Sequence, residues 1–282
     1  HAAWHAQAIG VARTGHRVKR ATPTLRAALG GSGAFLQETC MADTYVLVHG
    51  AWHTGELFQP VAQALRERGH VVHTPTLAGN RPGDDRATSG LTEAADSLAA
   101  YLEQHDLNNV RLVGHSYGGM VISQVAARLP QRIARLVYWV AFVPLDGECL
   151  NDMVPPHYKA LFDQIAAANH NAVMLPFPIW REAFINDADA ALARSTYDQL
   201  NPQPYRTFTE PARLGTQLAA LPMGKSYLLC TDDTAMPHSL PWHPRLSERL
   251  GLYRLVSTPG SHELCFTNPV LLAEKIEQAG RD

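Results

Sequence analysis

The sequence predicts an α/β fold: a mostly parallel sheet with flanking helices and an inserted helical cap. From residue 43, short runs of β-branched and aromatic residues alternate with stretches of helical periodicity. This is the order of parallel strands joined by crossover helices. The longest apolar run, residues 136–143, suits a buried strand and is far shorter than the roughly 20 residues that cross a bilayer. Periodicity weakens over about residues 145–221, which predicts the cap, and strands then resume.

Each predicted element follows from local spacing or from a residue that ends it. Apolar residues recur at helical spacing from Leu57 to Leu65, and Gly69 ends that helix. Asn268 is a suitable cap for a last helix that starts at Pro269. The predicted strands cover residues 45–49, 71–73, 110–113, 133–143, 225–230 and 252–256, and the other helices cover residues 91–105, 120–129, 158–169, 179–194, 244–250 and 269–278.

The composition is that of a folded protein that has no net positive charge to attract nucleic acids or anionic membranes. Of 282 residues, 46% are hydrophobic and 18% are charged, which provides enough apolar surface for a core. The formal net charge is -2 and the pI is near 6.7. We therefore expect no nucleic-acid or membrane partner. A small molecule remains the expected partner, and a homodimer is among the options.

Cysteine and histidine spacing supports neither a disulfide framework nor a metal. The four cysteines lie far apart without a Cys-x-x-Cys pair, so we expect reduced thiols in a cytoplasmic protein. His49 and His53 have the spacing of a zinc-binding helix, but Gly50 and Gly55 interrupt that helix. We therefore predict no metal.

Residues 1–40 differ from the remainder of the chain. They contain five of the 24 Lys and Arg residues but only one acid, Glu38. They lack a secretory apolar core, and no amphipathic period continues through Gly30, Gly31 and Gly33. We interpret them as an extension before the true start at Met41, outside a single domain that covers residues 41–282.

The strongest local signal is Gly114-His115-Ser116-Tyr117-Gly118-Gly119, between a predicted strand and a predicted helix. In that setting Gly-x-Ser-x-Gly is typical of a nucleophilic serine, because only small neighbours tolerate the strained turn. The N–H groups at the start of the helix favour negative charge that develops beside the serine. Ser116 is therefore the predicted nucleophile, and His115 is predicted to be a scaffold residue.

A serine hydroxyl needs a general base and a carboxylate that orients the base. His262 follows the last predicted strand, where a loop can bring its imidazole over Ser116, and it is the predicted base. The chain order Ser, Asp, His allows three carboxylates: Asp232 and Asp233 after one strand, and Asp146 after the strand before the cap. Asp233 is favoured because it stands further past its strand than Asp232 does.

The oxyanion donors are predicted to be the backbone N–H groups of Ala51 and Tyr117. Ala51 lies in the loop after the first strand, and Tyr117 follows the nucleophile. Trp52, next to Ala51, is expected to form part of the pocket wall.

Together these residues resemble a known family. Tyr45-Val-Leu-Val-His-Gly-Ala-Trp-His53, Gly114 to Gly119, Ala141-Phe-Val-Pro144 and Cys230-Thr-Asp-Asp233, with the late His262, are similar to small cofactor-free α/β-hydrolases over about residues 43–280. That family includes plant methylesterases, salicylate-binding esterases, hydroxynitrile lyases and bacterial esterases, pyrethroid hydrolases among them. The resemblance implies an α/β-hydrolase fold, no cofactor, Asp233 as the acid and the cap as the substrate-binding lid.

Two positions depart from the lyases of that family. The lyases carry a threonine after the strand-end histidine and a lysine after the catalytic histidine, where this chain has Gly50 and Glu263. An anionic Glu263 beside the site would repel the cyanide anion and so disfavour lyase chemistry. We therefore predict a serine esterase that cleaves a small, mainly apolar carboxylic ester through an acyl-enzyme. A hydroxynitrile lyase and a binding protein with vestigial hydrolysis are the alternatives.

Apolar and aromatic residues of the cap are the candidates for substrate contact. Besides Trp52, the candidates are Tyr158, Phe162, Leu175, Phe177, Trp180 and Phe184, and the alternative for each of them is a place in the core of the cap. Such a lining suits an apolar acyl or alcohol group better than a sugar or a phosphate.

Overall fold

A computed structural model describes residues 42–282, and the predicted extension, residues 1–40, lies outside the described residues. The strands, numbered along the chain, are β1 Thr44–Val48, β2 Val71–His73, β3 Val110–His115, β4 Ile133–Trp139, β5 Ala172–Val173, β6 Gln203–Pro204, β7 Gly224–Cys230 and β8 Arg254–Thr258. Six of them form one parallel sheet in the order β2-β1-β3-β4-β7-β8, and β5 pairs antiparallel with β6. The predicted α/β fold is confirmed.

Helices flank the sheet. They are α1 Gln59–Glu67, α2 Leu91–Gln104, α3 Gly118–Arg128, α4 Pro156–Ala168, α5 Phe177–Ile179, α6 Ala190–Tyr197, α7 Arg206–Thr209, α8 Leu264–Thr267 and α9 Pro269–Gly280, with a π-helical turn at Trp180–Phe184. α1 packs against α9, and α2 packs against α3. All residues of β3 are buried, as a central strand requires. Within residues 42–282, no helix combines the length and apolarity needed to span a bilayer.

The chain between β4 and β7 carries α4 to α7 and the antiparallel pair of β5 and β6. The prediction of one continuous helix over residues 179–194 is wrong, because the chain leaves helical geometry between the π-helical turn and α6. In that gap Asn186 donates to the Asp232 carbonyl, and Asp187 accepts from Ser261 N. These polar side chains bond to loops at the end of the sheet, which periodicity within the cap does not reveal.

Other element ends also differ from the prediction. β4 ends at Trp139 rather than at residue 143, since Val140 has φ of 34° and Phe142 N donates to Ser116 O instead of to a neighbouring strand. Residues 247–250 form only a 3-10 turn where the spacing predicts a helix. The bend after β4 brings the chain over the turn that carries Ser116.

Candidate active site

The turn between β3 and α3 holds Ser116 in a strained backbone. Ser116 has φ of 52°, in the left-handed region that non-glycine residues seldom occupy. A Cβ at Gly114 would lie 2.8 Å from Gly118 O, and a Cβ at Gly118 would lie 2.6 Å from Val48 O. Both glycines are therefore required by the close packing of this turn against itself and β1.

Backbone hydrogen bonds hold the turn in place. Ser116 N donates to Trp139 O, and Ser116 O accepts from Phe142 N and Gly119 N. α3 begins at Gly118, two residues after Ser116. The dipole of that helix favours negative charge beside the serine.

His262 and Asp233 form a hydrogen bond next to this turn. His262 Nδ1 donates to Asp233 Oδ2 at 2.7 Å, and Asp233 Oδ1 accepts from Ala235 N at 2.7 Å. Among the described residues, His262 Nε2 has no partner, so it is available to Ser116 or to substrate. Burial lowers the pKa of His262, but the charge and hydrogen bond of Asp233, together with Glu263, outweigh burial and raise that pKa above its ordinary 6.5.

The structure brings Asp233 to His262 and places the two alternative carboxylates elsewhere. Asp232 Oδ2 accepts a backbone N–H at 2.8 Å. Asp146 Oδ1 accepts two backbone N–H groups, at 2.7 and 3.0 Å. Asp232 and Asp146 thus stabilise loops, as turn carboxylates commonly do.

Two further rings fix the position of His262. His115 Nε2 donates to His262 O at 3.0 Å, and the His115 ring stacks on Trp139 with centroids 4.0 Å apart. Burial lowers the pKa of His115 well below its ordinary value, so this ring is neutral. The second ring is that of Trp242, which stacks on the His262 imidazole with centroids 5.4 Å apart. His115 thus occupies a scaffold position.

The loop of residues 49–53 after β1, here called the oxyanion loop, lies beside the turn of Ser116. Ala51 and Tyr117 border the same cavity as Ser116. Within the described part of the chain, neither the Ala51 N–H nor the Tyr117 N–H donates a hydrogen bond. Two unpaired N–H groups beside a serine are the donors that a tetrahedral oxyanion needs.

A neutral histidine holds the Gly50–Ala51 peptide of the oxyanion loop. His49 Nδ1 donates to Gly50 O at 2.9 Å, and His49 Nε2 accepts from Leu77 N at 3.0 Å. Burial lowers the pKa of His49 to about 4. The ring is therefore neutral at ordinary pH, and its two neighbours fix which nitrogen carries the proton.

A cavity lies between this turn and the cap. Its lining is almost entirely apolar. Besides Ser116 and His262, the lining residues are Ala51, Trp52, Tyr117, Phe142, Leu150, Val154, Tyr158, Phe162, Phe184, Phe208, Ala235, Met236 and Trp242. An apolar lining of this kind suits an apolar ligand.

The model of the alpha/beta hydrolase family matches residues 45–275, from β1 to the last helix. The chain belongs to the alpha/beta hydrolase family. A carbendazim hydrolyzing esterase of a Nocardioides species is 35% identical to this hydrolase over 253 residues, which cover 84% of this chain and 99% of that esterase. A pyrethroid hydrolase of Sphingobium wenxiniae is 26% identical over 242 residues, which cover 82% of this chain and 85% of that enzyme.

The hydrolase also resembles a solved structure closely. An extracellular alpha/beta-hydrolase from a Paenibacillus species superposes with a TM-score of 0.82 at 37% identity, covering 85% of this chain and 100% of that one. That protein is described as sharing structural and functional homology with tobacco salicylic acid binding protein 2. The resemblance drawn from the sequence motifs is thereby confirmed at the level of the family.

The cavity of the hydrolase includes some of the predicted lining residues and excludes others. Those that border it are Trp52, Tyr158, Phe162 and Phe184. Phe177 does not, because its ring lies under the Arg194 guanidinium at 3.7 Å. Trp180 does not either, because its indole donates to Ala193 O within the cap. Leu175 is also buried away from the cavity lining.

Several lining residues were not predicted. Phe208 belongs to α7, and Met236 and Trp242 belong to the loop after β7 that also carries Asp233. Their apolar side chains in a loop next to a candidate catalytic carboxylate are the signal that sequence reasoning missed, since active-site loops commonly carry pocket residues as well.

Glu263 does not border the cavity, contrary to the expectation that it lies beside the reacting atoms. Its Oε2 lies 3.0 Å from His53 Nε2, and both side chains are almost fully buried. His53, Glu263 and Cys265 are residue types that bind zinc and lie close together. Both ring nitrogens of His53 bond to oxygens, Nδ1 to Ala51 O and Nε2 to Glu263 Oε2.

Proposed function

We propose that this protein is a serine carboxylic-ester hydrolase that cleaves a small, mainly apolar ester through an acyl-enzyme intermediate. Membership of the family, and relatives named as esterases, support ester hydrolysis. One observation carries the mechanism: His262 Nδ1 bonds to Asp233 at 2.7 Å, His262 Nε2 has no partner among the described residues, and His262 borders the same cavity as Ser116. This arrangement supports the roles of nucleophile, base and orienting carboxylate.

In the first half-reaction, Ser116 Oγ attacks the ester carbonyl carbon, and the hydroxyl proton passes to His262 Nε2. The carbonyl oxygen becomes an oxyanion that accepts hydrogen bonds from Ala51 N–H and Tyr117 N–H. When the intermediate collapses, the bond to the alkoxy oxygen breaks and His262 gives the proton to the departing alcohol. The acyl group remains on Ser116 as an ester.

In the second half-reaction, water attacks the acyl carbon and loses a proton to His262 Nε2. The new oxyanion accepts from the same two N–H groups, and its collapse releases the acid and returns the proton to Ser116 Oγ. The Asp233 carboxylate stabilises the imidazolium in both halves, in agreement with the direction in which it shifts the pKa of His262. No cofactor takes part in this sequence.

The lining of the cavity supports an apolar substrate. Among the described residues, the lining includes no lysine or arginine that would pair with a phosphate, and few hydroxyls or amides that would bind a sugar. Aromatic rings dominate the walls, which favours an aryl group on the acyl or the alcohol side. Carbendazim and pyrethroids, after which relatives are named, belong in the substrate panel.

The loop after β1 argues against the lyase alternative. A Cβ at Gly50 would lie 2.8 Å from His115 Nδ1 and 3.2 Å from Ser116 Cβ. The threonine that the related lyases carry at this position does not fit beside His115. Ester hydrolysis requires no side chain there.

The test compares wild-type protein with Ser116→Ala on p-nitrophenyl esters, methyl and aryl esters of aromatic acids, and mandelonitrile. We expect ester turnover by the wild type and a loss of at least about a thousandfold in the variant, because no acyl-enzyme can form. Mass spectrometry of the enzyme quenched during p-nitrophenyl ester turnover should find the acyl mass on the peptide with Ser116. Activity retained by Ser116→Ala, or cyanide release that exceeds ester turnover, would overturn the proposal.

A further inference from the structure

Three successive carbonyls of the oxyanion loop are held by side chains or by the cap. Gly50 O accepts from His49 Nδ1, and Ala51 O accepts from His53 Nδ1 at 2.6 Å. Trp52 O accepts from Asn201, through both its backbone and its side-chain nitrogen. Trp52 has φ of 68°, a conformation that costs on the order of 1–3 kcal/mol for a non-glycine residue. The loop keeps this shape because its neighbours hold it.

Apart from the charge of Glu263, which helps to raise the pKa of His262, the buried pair of His53 and Glu263 has no part in the reaction steps given above. His53 Nε2 and Glu263 Oε2 are 3.0 Å apart, and Cys265 Sγ lies 3.7 Å from the same oxygen. The His53 ring is enclosed by aromatic rings, with Phe266 stacked at 5.7 Å. A buried pair of this kind is a poor source of stability, because desolvation offsets most of the attraction. A positioning role accounts for it better.

We propose that His53 and Glu263 are positioning residues for the oxyanion donor Ala51 N–H, an inference that rests on the proposed function. Ala51 O can only accept, so His53 Nδ1 carries a proton and donates it. Glu263 bonds to the other nitrogen and thereby holds the ring in the orientation that this donation requires. The pair thus acts through the backbone and touches no substrate.

The geometry of the peptide planes shows how the restraint reaches the donor. The Ala51–Trp52 peptide is held at both polar ends, since its carbonyl accepts from His53 and Trp52 N donates to Gln203 Oε1 at 3.0 Å. The preceding peptide, which carries the Ala51 N–H, is held at its carbonyl by His49. Both peptide planes that meet at the Ala51 Cα are therefore fixed.

The same pair joins the oxyanion loop to the base. Glu263 directly follows His262 in the chain. The residue that holds the His53 ring, and through it Ala51, is therefore the neighbour of the residue that receives the serine proton. A displacement of about 1 Å between such groups can cost up to roughly a hundredfold in rate. We expect loss of the His53 donor to lower kcat and to leave ground-state binding nearly unchanged.

Two substitutions of His53 separate its two hydrogen bonds. The amide nitrogen of an asparagine can take the place of Nδ1, so His53→Asn keeps a donor to Ala51 O and loses the hydrogen bond to Glu263. The longer glutamine reaches the place of Nε2, so His53→Gln keeps the contact with Glu263 and loses Ala51 O. Glu263→Leu removes the partner of the ring, and Glu263→Gln keeps a hydrogen-bonding group of the same size.

Two readouts are measured on p-nitrophenyl ester hydrolysis, with active-site concentration set by burst titration. The first is kcat against KM. The second is the inhibition constant of an arylboronic acid, whose boron accepts the Ser116 oxygen and forms a tetrahedral anion with an oxygen beside the N–H donors. For His53→Gln and Glu263→Leu we expect kcat to fall 10- to 100-fold, KM to change less than threefold, and boronate affinity to fall with kcat. For His53→Asn and Glu263→Gln we expect kcat within about fivefold of wild type.

Glu277→Leu is the matched control. Glu277 is also a buried carboxylate next to a buried histidine, His70, at 4.0 Å, but it lies on α9 and borders no part of the cavity. The Glu277→Leu substitution should lower Tm and leave kcat and boronate affinity unchanged. The inference is overturned if His53→Gln equals wild type, if it equals His53→Asn, or if the losses appear in KM or Tm alone. Failure of the proposed function would be seen separately: the boronic acid would not inhibit the wild-type protein, or ester hydrolysis would survive in Ser116→Ala.

Discussion

Backbone strain at two residues marks the two loops that face the cavity. Ser116 and Trp52 both have positive φ, 52° and 68°, although neither is glycine. Each such conformation costs on the order of 1–3 kcal/mol and persists only where surrounding contacts impose it. At Ser116 those contacts are backbone bonds to the chain that follows β4, and at Trp52 they come from the cap. Rigid packing of these neighbours therefore sets the geometry of the site.

The three candidate carboxylates should differ sharply when each is changed to asparagine. Only Asp233 contacts His262, so Asp233→Asn should lower kcat by roughly a thousandfold or more, through loss of the correct tautomer and of the charge that stabilises the imidazolium. Asp232→Asn and Asp146→Asn should keep most activity and lower Tm, because they weaken loop hydrogen bonds. Steady-state kinetics of the three variants decide the point. A larger loss for Asp146→Asn than for Asp233→Asn would move the acid to the other loop.

The pH dependence should report the influence of Asp233 on His262. The base must be neutral to accept a proton, so kcat/KM falls as pH drops through the pKa of His262 in the free enzyme. Asp233 raises that pKa, which places the acidic limb above pH 6.5 in the wild type. In Asp233→Asn the residual activity should show this limb at lower pH, because burial lowers the pKa of His262 and the Asp233 charge no longer opposes that effect. An acidic limb that does not move would contradict this assignment of the pair.

At the scale of elements, the cap is bonded to both loops of the proposed triad. Asn186 donates to the carbonyl of Asp232, next to Asp233, and Asp187 accepts from Ser261 N, next to His262. The same short segment breaks the helix that periodicity predicts for the cap. The cap therefore supplies restraints to the loops at the ends of β7 and β8 in addition to the aromatic wall of the cavity.

The contact between the oxyanion loop and the turn of Ser116 leads to a prediction about Gly50. Gly50→Thr should lower ester turnover at least tenfold, because its Cβ would press on the His115 ring, which bonds to the His262 carbonyl. Adding Glu263→Lys should not bring cyanide release from mandelonitrile, since the new ammonium would lie by His53 rather than in the cavity. Ester and mandelonitrile assays on both variants check this. Clear mandelonitrile cleavage by the double variant would show that position 263 reaches the reacting atoms.

At the scale of the whole molecule, removal of residues 1–40 should leave the enzyme intact. Residues 42–282 supply the six-stranded parallel sheet, its flanking helices and the candidate catalytic residues Ser116, Asp233 and His262. We expect a chain that starts at Met41 to match the full chain in kcat/KM and in Tm. Thermal denaturation and p-nitrophenyl ester kinetics on both proteins test this. A fall of several degrees in Tm would show that residues 1–40 stabilise the fold.

Local signals in the sequence were sufficient for the fold class and for the first two candidate catalytic residues. Alternation of strands and helices predicts the parallel sheet, because the periodicities of 2 and 3.6 residues are properties of each segment alone. Glycines two residues before and after Ser116 predict the turn, because close packing within the turn and against β1 excludes a Cβ there. The position of His262 just after a strand places it at the same edge of the sheet, where the carboxyl ends of parallel strands meet.

Only the tertiary structure decided between residues that are alike in local context. Asp232 and Asp233 are neighbours, and the direction of the chain after β7 sends one to Gly260 N and the other to His262. In the same way, packing within the cap turns Trp180 away from the cavity that Phe162 borders. The pair of His53 and Glu263 is the extreme case, since 210 residues separate its members. No periodicity or turn signal carries such information, because the contact exists only once the sheet has brought the ends of β1 and β8 together.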